Sequence, residues 1–379
     1  MGTVDMLDTN ALLRGTEPVC DTPAAPVSDY LDDEAFWARL RHSFLPLRPS
    51  QYDMTARCNL RCEGCLFFSG SQIFEESELA SFERLFAAEA ARGIRFGYFS
   101  GAEPSLVEPK LLAAARHIPY GTVFTNGTRR LSDEIPYRVH ISVWGRPDRD
   151  RELRGASMLA KQTRNYRGDK RAVFTYTVTS QNIDDIVWVA EYCADHDLAL
   201  TFNHYSPTAK YMAFLNGEAE GDRYHAQDGQ GADLILDAGH LARARDVIDD
   251  LIDARRGRIL YSHAFNAQMH NPAGLYPDRD GITDVARDCA SLLGKQFRHY
   301  ETDLTQSTRK CCTPNVSCAT CRLYAQSFAT SLLRATRNMR ETRGHDRSIS
   351  LWRLWCALFL NDPLLSAWPS PVGMTAGHA

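Results

Sequence analysis

The sequence predicts an α/β protein organised on a parallel sheet, and three observations carry that prediction. Six strand-length apolar runs fall between residues 51 and 203. Helix-length segments separate most of them, and no internal repeat breaks the alternation. Strands regularly divided by helical stretches indicate βαβ units, whose crossovers set neighbouring strands parallel.

In chain order, residues 1–50 carry Pro, Asp and Thr early, then a helical patch at "LDDEAFWARLRHSF". They read as an N-terminal extension that packs across the sheet or stays partly mobile. Strands follow at 51–55, 94–100 ("IRFGYFS"), 121–125 ("GTVFT"), 138–143 ("RVHISV"), 172–179 ("AVFTYTVT") and 198–203 ("LALTFN"). Their β-branched and aromatic residues suit a pleated, buried surface. Helical patterns occupy 77–92, 108–117, 149–165 and 182–196. Residues 206–236, rich in Gly, Asp and His, read as an insertion or lid. A strongly periodic helix over 237–256 follows, and an apolar run at 258–264 suggests one further strand. Beyond 286 the chain turns Cys-rich and then helical, with Trp352, Trp355 and Trp368 near its end. The expected division is an extension (1–50), a main domain (51–285) and a Cys-rich, partly helical C-terminal domain (286–379).

Composition narrows the function. Of 379 residues, 44% are hydrophobic and 24% charged, the balance of an ordinary globular protein. A net charge of −4 argues against a broad nucleic-acid footprint. No apolar stretch is long enough to span a membrane, and the N-terminus lacks the pattern of a secretory signal. A cytoplasmic protein with neither nucleic-acid nor membrane partners is expected. Eleven Cys in such a chain point to metal binding rather than a disulfide framework.

The Cys are clustered. Cys58, Cys62 and Cys65 lie in "TARCNLRCEGCLFFSG", directly after the first strand. Three thiolates on one tight loop can hold three irons of a [4Fe–4S] cluster and leave the fourth without a protein ligand, whereas ordinary electron-transfer clusters use four Cys. An open position distinguishes a reactive metal site from a structural one. A zinc knuckle is the competing reading of the spacing. Two further turns follow in order, "FSGAEPSL" (99–106) ending the second strand and "FTNGT" (124–128) ending the third.

Cys loop, Gly-x-Glu-Pro turn and Thr-Asn-Gly turn together resemble the radical S-adenosylmethionine (radical SAM) superfamily. The resemblance implies a partial (β/α)₆ TIM-like barrel with its chemistry at the C-terminal ends of the strands. It implies that Cys58, Cys62 and Cys65 hold the cluster. SAM would chelate the unique iron and be cleaved by one electron to a 5′-deoxyadenosyl radical. Ser100, Gly101, Ala102 and Glu103 match the family's "GGEP" motif, with Ala102 where the second Gly is usual. Gly101 would let main-chain groups meet the SAM ammonium, and Glu103 would add a charge-assisted bond. Asn126 belongs to the turn near SAM, and Ser142 matches a polar residue that touches the ribose. Val178 and Phe67 are candidates for the adenine pocket, and Asn182 for the cap of the fifth helix. Gly64 stands where many members carry an aromatic residue, which moves an adenine contact elsewhere.

A second set comprises Cys289, Cys311, Cys312, Cys318 and Cys321. Four of these, with one of Cys311 and Cys312 in reserve, can complete a four-thiolate site. An auxiliary [4Fe–4S] cluster held by Cys289, Cys311, Cys318 and Cys321 is expected, with structural zinc as rival. The idea is that of the SPASM and twitch extensions, although the spacings match neither motif.

The expected function is hydrogen abstraction from a small organic molecule in specialised metabolite biosynthesis, giving oxidation, epimerisation, rearrangement or decarboxylation. The electron would come from a flavodoxin or ferredoxin. The N-terminal extension looks too short for a fused leader-peptide-binding domain, so a maturase acting on a ribosomal peptide or protein side chain is the second reading. A non-catalytic iron–sulfur electron carrier is the third. His204, Tyr205 and Lys210 at the barrel mouth, and Cys312, are candidates for acid–base or hydrogen-donor roles. His140 and Arg146 near the fourth strand also come into reach of a substrate.

Overall fold

The computed structural model describes residues 31–43, 48–68, 75–218, 233–254, 258–275, 289, 297–307, 316, 321–338 and 345–368. Eight strands form one sheet: β1 (Pro49–Asp53), β2 (Phe96–Ser100), β3 (Tyr120–Thr125), β4 (Arg138–Val143), β5 (Ala172–Val178), β6 (Ala199–His204), β7 (Arg258–Ile259) and β8 (His299–Tyr300). Their order is β7-β6-β5-β4-β3-β2-β1-β8, and every pairing is parallel. The two ends of the sheet do not pair with each other, so the sheet is an open α/β barrel wall. All six expected strands are present within a few residues. The run at 258–264 pairs only at its start, because the chain turns at Ser262, whose Oγ accepts the Phe265 N–H and starts a helix. β8 went unforeseen: two residues beside β1 give no periodicity to read.

Helices accompany the strands, and those that cross from one strand to the next pack on the outer face of the sheet. They are α1 (Asp33–Ser43), α2 (Leu79–Ala91), α3 (Glu108–Ala115), α4 (Pro147–Arg154), α5 (Leu159–Tyr166), α6 (Ile186–Asp195), α7 (Ala209–Leu215), α8 (Ala238–Ala254) and α9 (His263–Met269). Two more, α10 (Tyr324–Asn338) and α11 (His345–Phe359), follow β8. The expected helix at 149–165 is two, because Gly155 takes φ 78° and ends α4 in a left-handed cap. Among the described residues no helix is long and apolar enough to cross a membrane.

Strand alternation separates two environments. On the outer face Tyr52 packs against Phe86 of α2 at 5.1 Å, and Ser50 donates to Glu89 of α2. The inner face carries Tyr98, Thr122, His140, Thr175 and Thr201. α10 and α11 fill the lower part of this lumen. The Phe359 ring stacks on His140 at 5.4 Å, and Thr122 donates to the Phe359 carbonyl. Tyr324 and Phe328 complete the plug around Phe359. The C-terminal helices therefore share the barrel's own core instead of forming a separate one. α1 joins them through Arg353–Asp33 at 2.8 Å and Arg39–Asp362 at 2.6 Å.

His140 belongs to this plug, which removes it from the substrate candidates. Its Nε2 meets the Leu358 carbonyl at 2.7 Å and its Nδ1 meets Thr175 Oγ1 at 3.1 Å. Burial lowers its pKa to about 3. An imidazole depressed this far binds its proton in the unfolded chain before the folded one. Its contribution is therefore intact above about pH 6.5 and is lost as pH falls from there toward 3. At pH 5 the loss from His140 alone is about 2 kcal/mol. Thermal melts from pH 7.5 to 5 should show a steadily falling midpoint, and His140→Gln should flatten the profile. A midpoint independent of pH in wild type would contradict the buried neutral imidazole.

Candidate functional site

The site is built at the C-terminal ends of β1 to β6. The β1 and β2 ends are drawn together by Met54 N–H to the Ser100 carbonyl at 2.9 Å and Ala102 N–H to the Thr55 carbonyl at 2.8 Å. Gly101 makes this possible: at φ 115° a side chain is strained, and a Cβ would sit 2.9 Å from Met54 N and Thr55 O. The glycine thus serves protein backbone approach at the turn itself.

Glu103 organises the next turn. Its Oε1 accepts Thr125 Oγ1–H at 2.6 Å and Ser105 N–H at 2.9 Å, and its Oε2 accepts Asn126 N–H at 2.7 Å. At 1% exposure the carboxylate ties the second strand's turn to the third's. Asn126 carries the chain of bonds into the Cys loop. Its Nδ2 donates to Asn59 Oδ1 at 2.8 Å and approaches Cys58 Sγ at 3.9 Å, and Asn59 donates to Thr128 Oγ1. The Gly-x-Glu-Pro turn, the Thr-Asn-Gly turn and the Cys loop are one hydrogen-bonded unit.

Cys58, Cys62 and Cys65 are unbridged, and burial is the largest cause raising each thiol, Cys65 to about 12. Three thiols on one loop offer the donor set of a thiophilic metal centre, iron–sulfur or zinc. Metal binding would displace the protons that burial holds on these thiols.

The aromatic residue missing from the loop is supplied by the chain after β6. Gly64 lies at φ 53°, and a Cβ there would meet the Tyr205 hydroxyl. That hydroxyl donates to the Gly64 carbonyl at 3.0 Å. Tyr205 packs with Trp144, Leu153, Tyr211 and Leu234 in a small apolar cluster of its own, which roofs the Cys loop. Its role is to brace the loop, and its hydroxyl is spent on doing so.

Ser142 is half-buried and faces the lumen; its Oγ accepts the Trp144 indole N–H at 3.0 Å. Its carbonyl accepts Arg154 Nη1 at 2.7 Å and Gln162 Nε2 at 2.8 Å. Arg154 is buried, pairs with Asp150 at 3.2 Å, and its positive charge pulls the Cys62 thiol down against the upward push of burial. Burial alone would lower the guanidinium's pKa, but Asp150 and Cys62 outweigh it and raise it. Arg154 was not singled out from the sequence, where it reads as one more charge on a surface helix.

Several expected positions are placed differently. Val178 pairs in register with His204 on the helix-facing side of the sheet and is fully buried there, so Thr177 is the lumen-facing neighbour. Asn182 does not cap a helix with its side chain; it accepts Thr179 N–H and donates to the Thr177 and Trp144 carbonyls. His204 also faces away from the lumen. Its Nε2 lies 2.8 Å from His270 Nε2, while His270 Nδ1 meets the Asn266 carbonyl at 2.9 Å. Because that Nδ1 must donate to a carbonyl, His270 Nε2 accepts and His204 donates. Burial, then the charges of His270 and Arg322, hold His204 well below the usual imidazole range. Arg146 pairs at the surface with Asp185 at 3.2 Å, and Lys210 lies half-buried on α7. Phe67 is half-buried after the Cys loop, edge-on to Phe68 at 5.2 Å. Cys289 is buried and Cys321 half-buried at the start of the segment leading to α10; Cys311, Cys312 and Cys318 lie outside the described residues.

The lumen wall is polar: Gln51, Asp53, Ser100, Thr177 and Asn203 point inward from β1, β2, β5 and β6. Gln51 Nε2 donates to Ser100 Oγ at 3.2 Å, and Ser100 Oγ donates to Asp53 Oδ1 at 3.0 Å. Gln51 and Asp53 stand on alternate positions of the first strand, a signal that was open to reading.

No protein-family model matches the chain, and no curated protein matches it. Solved structures do show likeness. The SuiB protein of Streptococcus suis bound to S-adenosylmethionine aligns at 15% identity and a TM-score of 0.45, over 70% of this chain and 61% of that one. The same protein bound to its precursor peptide SuiA aligns at 14% and 0.45, over 78% and 68%. The protein anSMEcpe with bound AdoMet aligns at 15% and 0.47, over 74% and 80%. The chain thus spans about three fifths of SuiB's length in the first alignment. Likeness at this level carries no functional argument, and the residues of the site must supply it.

Proposed function

We propose that the chain is a radical SAM enzyme whose Cys58, Cys62 and Cys65 hold a [4Fe–4S] cluster with one iron left for S-adenosylmethionine. The observation that carries this reading is the single hydrogen-bonded unit of Cys loop, Gly-x-Glu-Pro turn and Thr-Asn-Gly turn around buried Glu103. When bound, the cluster and SAM supply a 5′-deoxyadenosyl radical; orientation and shielding are the protein's share. On this reading the backbone of Gly101 and Ala102 would meet the methionine end of SAM, and the Ser142 hydroxyl would be available to its ribose. Arg154 places a positive charge beside Cys62, where thiolate and carboxylate charge collects. Tyr205 and its apolar neighbours keep water from the loop.

The substrate reading is a small polar molecule held in the lumen between the α10–α11 plug and the Cys loop. The inward polar wall of Gln51, Asp53, Ser100 and Asn203 supports it. Net oxidation would need an acceptor for the substrate radical's electron, which a second cluster on Cys289, Cys311, Cys318 and Cys321 would supply, whereas epimerisation would need a hydrogen-atom donor, for which Cys312 is the candidate.

The test is anaerobic reconstitution followed by SAM and dithionite. 5′-Deoxyadenosine should form with wild type and not with Cys58→Ala, and iron should approach about eight per chain if both clusters load. Cluster-loaded protein that leaves SAM intact would end the reading. Capture of a precursor peptide in place of small-molecule turnover would overturn the substrate assignment alone.

A further inference from the structure

Asp53, His299 and Glu301 bring one ligand atom each to within 4.8 Å of one another, and all three are buried. They come from three places: the end of β1, the β8 strand and the turn after it. The sequence separation between Asp53 and His299 hides the group from any motif search. We propose that these three side chains form a divalent-metal site in the lumen wall, apart from the cysteine loop and independent of what that loop binds.

The donor set is one imidazole and two carboxylates, which suits Mn²⁺, Fe²⁺ or Zn²⁺ better than a soft, thiolate-seeking ion. Two buried carboxylates match the charge of one dication, and three protein ligands leave positions open for water or a substrate oxygen. His299 Nε2 now lies 2.9 Å from Asp53 Oδ2.

Surrounding hydrogen bonds hold Asp53 by its side chain and His299 and Glu301 by their backbone. Ser100 Oγ donates to Asp53 Oδ1 at 3.0 Å, and Gln51 supports Ser100. His299 is fixed by its register opposite Gln51 and by Ser307 N–H to its carbonyl at 2.7 Å. The turn that presents Glu301 closes with Glu301 N–H to the Thr305 carbonyl at 3.0 Å. It is pinned from outside by Thr302 Oγ1 to the Glu75 carbonyl at 2.6 Å and Ser77 Oγ to the Asp303 carbonyl at 2.9 Å. Glu75 and Ser77 belong to the segment running from the Cys loop to α2, so the metal site and the cysteine loop lean on one stretch of chain.

Mn²⁺ is the probe, because as a hard ion it avoids thiolates and cannot be mistaken for occupancy of the cysteine sites. The full-length protein, anaerobically loaded with iron and sulfide, is titrated with Mn²⁺, and the free ion is read by EPR. A single saturable Mn²⁺ is expected, with nitrogen coupling from a bound imidazole in pulsed EPR. Asp53→Asn and Glu301→Gln should each weaken binding at least about tenfold, and Ser100→Ala by about tenfold through loss of outer support. Absence of saturable Mn²⁺, Mn²⁺ without nitrogen coupling, or unchanged affinity in Glu301→Gln overturns the proposal. The nitrogen coupling is read on wild type, so it decides even if a variant fails to fold. It requires neither SAM nor turnover, so its failure is distinct from that of the radical reading.

Discussion

Glu103→Ala should cost about 4 kcal/mol of unfolding free energy and, on the proposed reading, abolish SAM binding together with it. The carboxylate at 1% exposure accepts three hydrogen bonds of 2.6 to 2.9 Å from Thr125, Asn126 and Ser105. Bonds to a charged acceptor contribute about 1.5–3 kcal/mol each, and the alanine leaves two backbone N–H groups and a hydroxyl buried without an acceptor. Water entering the space left by the side chain would satisfy part of this, which keeps the expected loss below the sum of three full bonds. Glu103→Gln separates charge from shape. Its amide oxygen can serve two of the donors, but its NH₂ must face the third, so about 2 kcal/mol should be lost. The functional consequence runs through geometry: with Asn126 released, the bonds to Asn59 and the approach to Cys58 go too. Urea unfolding of both variants, with SAM titrated by calorimetry, measures the pair of effects. An alanine variant within 1 kcal/mol of wild type would show that the carboxylate is not the anchor of the two turns.

The same residue shows what a sequence can and cannot disclose. Glu103 was legible as part of a turn because Gly, Glu and Pro each have a backbone reason to be there. Its partners were not, since Thr125 and Asn126 arrive from the next strand and only a folded sheet sets them opposite. The six main strands were legible because each is a continuous apolar run bounded by turn residues. β8 was not, because two residues paired at the edge of β1 leave no period. Val178 was misplaced by one residue, and in a strand one residue is the difference between lumen and helix layer. His204 failed for the same reason of parity, its partner His270 capping the C-terminus of α9, 66 positions away. Tyr205 shows a different limit. The sequence revealed that Gly64 lacked an aromatic side chain, but only the chain's return after β6 shows which ring fills the space. Arg154 and the Asp53–His299–Glu301 group were invisible because their chemistry is assembled from separate elements.

Arg154→Met should lose about 3–5 kcal/mol, the range for breaking a buried ion pair from one side. Asp150, at 1% exposure, would keep the Met158 N–H at 2.7 Å but lose the Arg154 guanidinium that neutralises it. Met matches the length and volume of the aliphatic stem, so packing changes little and the deficit comes chiefly from the stranded charge. The double variant Asp150→Asn with Arg154→Met should therefore recover more than half of the loss, because no charge is then left buried. A second effect separates Arg154 from an ordinary structural residue. The charge of its guanidinium lowers the proton affinity of the Cys62 thiol against the upward push of burial. With iron and sulfide loaded, removing this cation leaves the added electron less stabilised, so the midpoint potential should move to more negative values. The double variant restores stability but not the cation, so its potential should stay at the lowered value. Chemical unfolding and an EPR-monitored redox titration on the two variants read these quantities separately. If the double variant recovers the potential along with the stability, Arg154 acts only through packing around Asp150 and has no direct hold on the cysteine site.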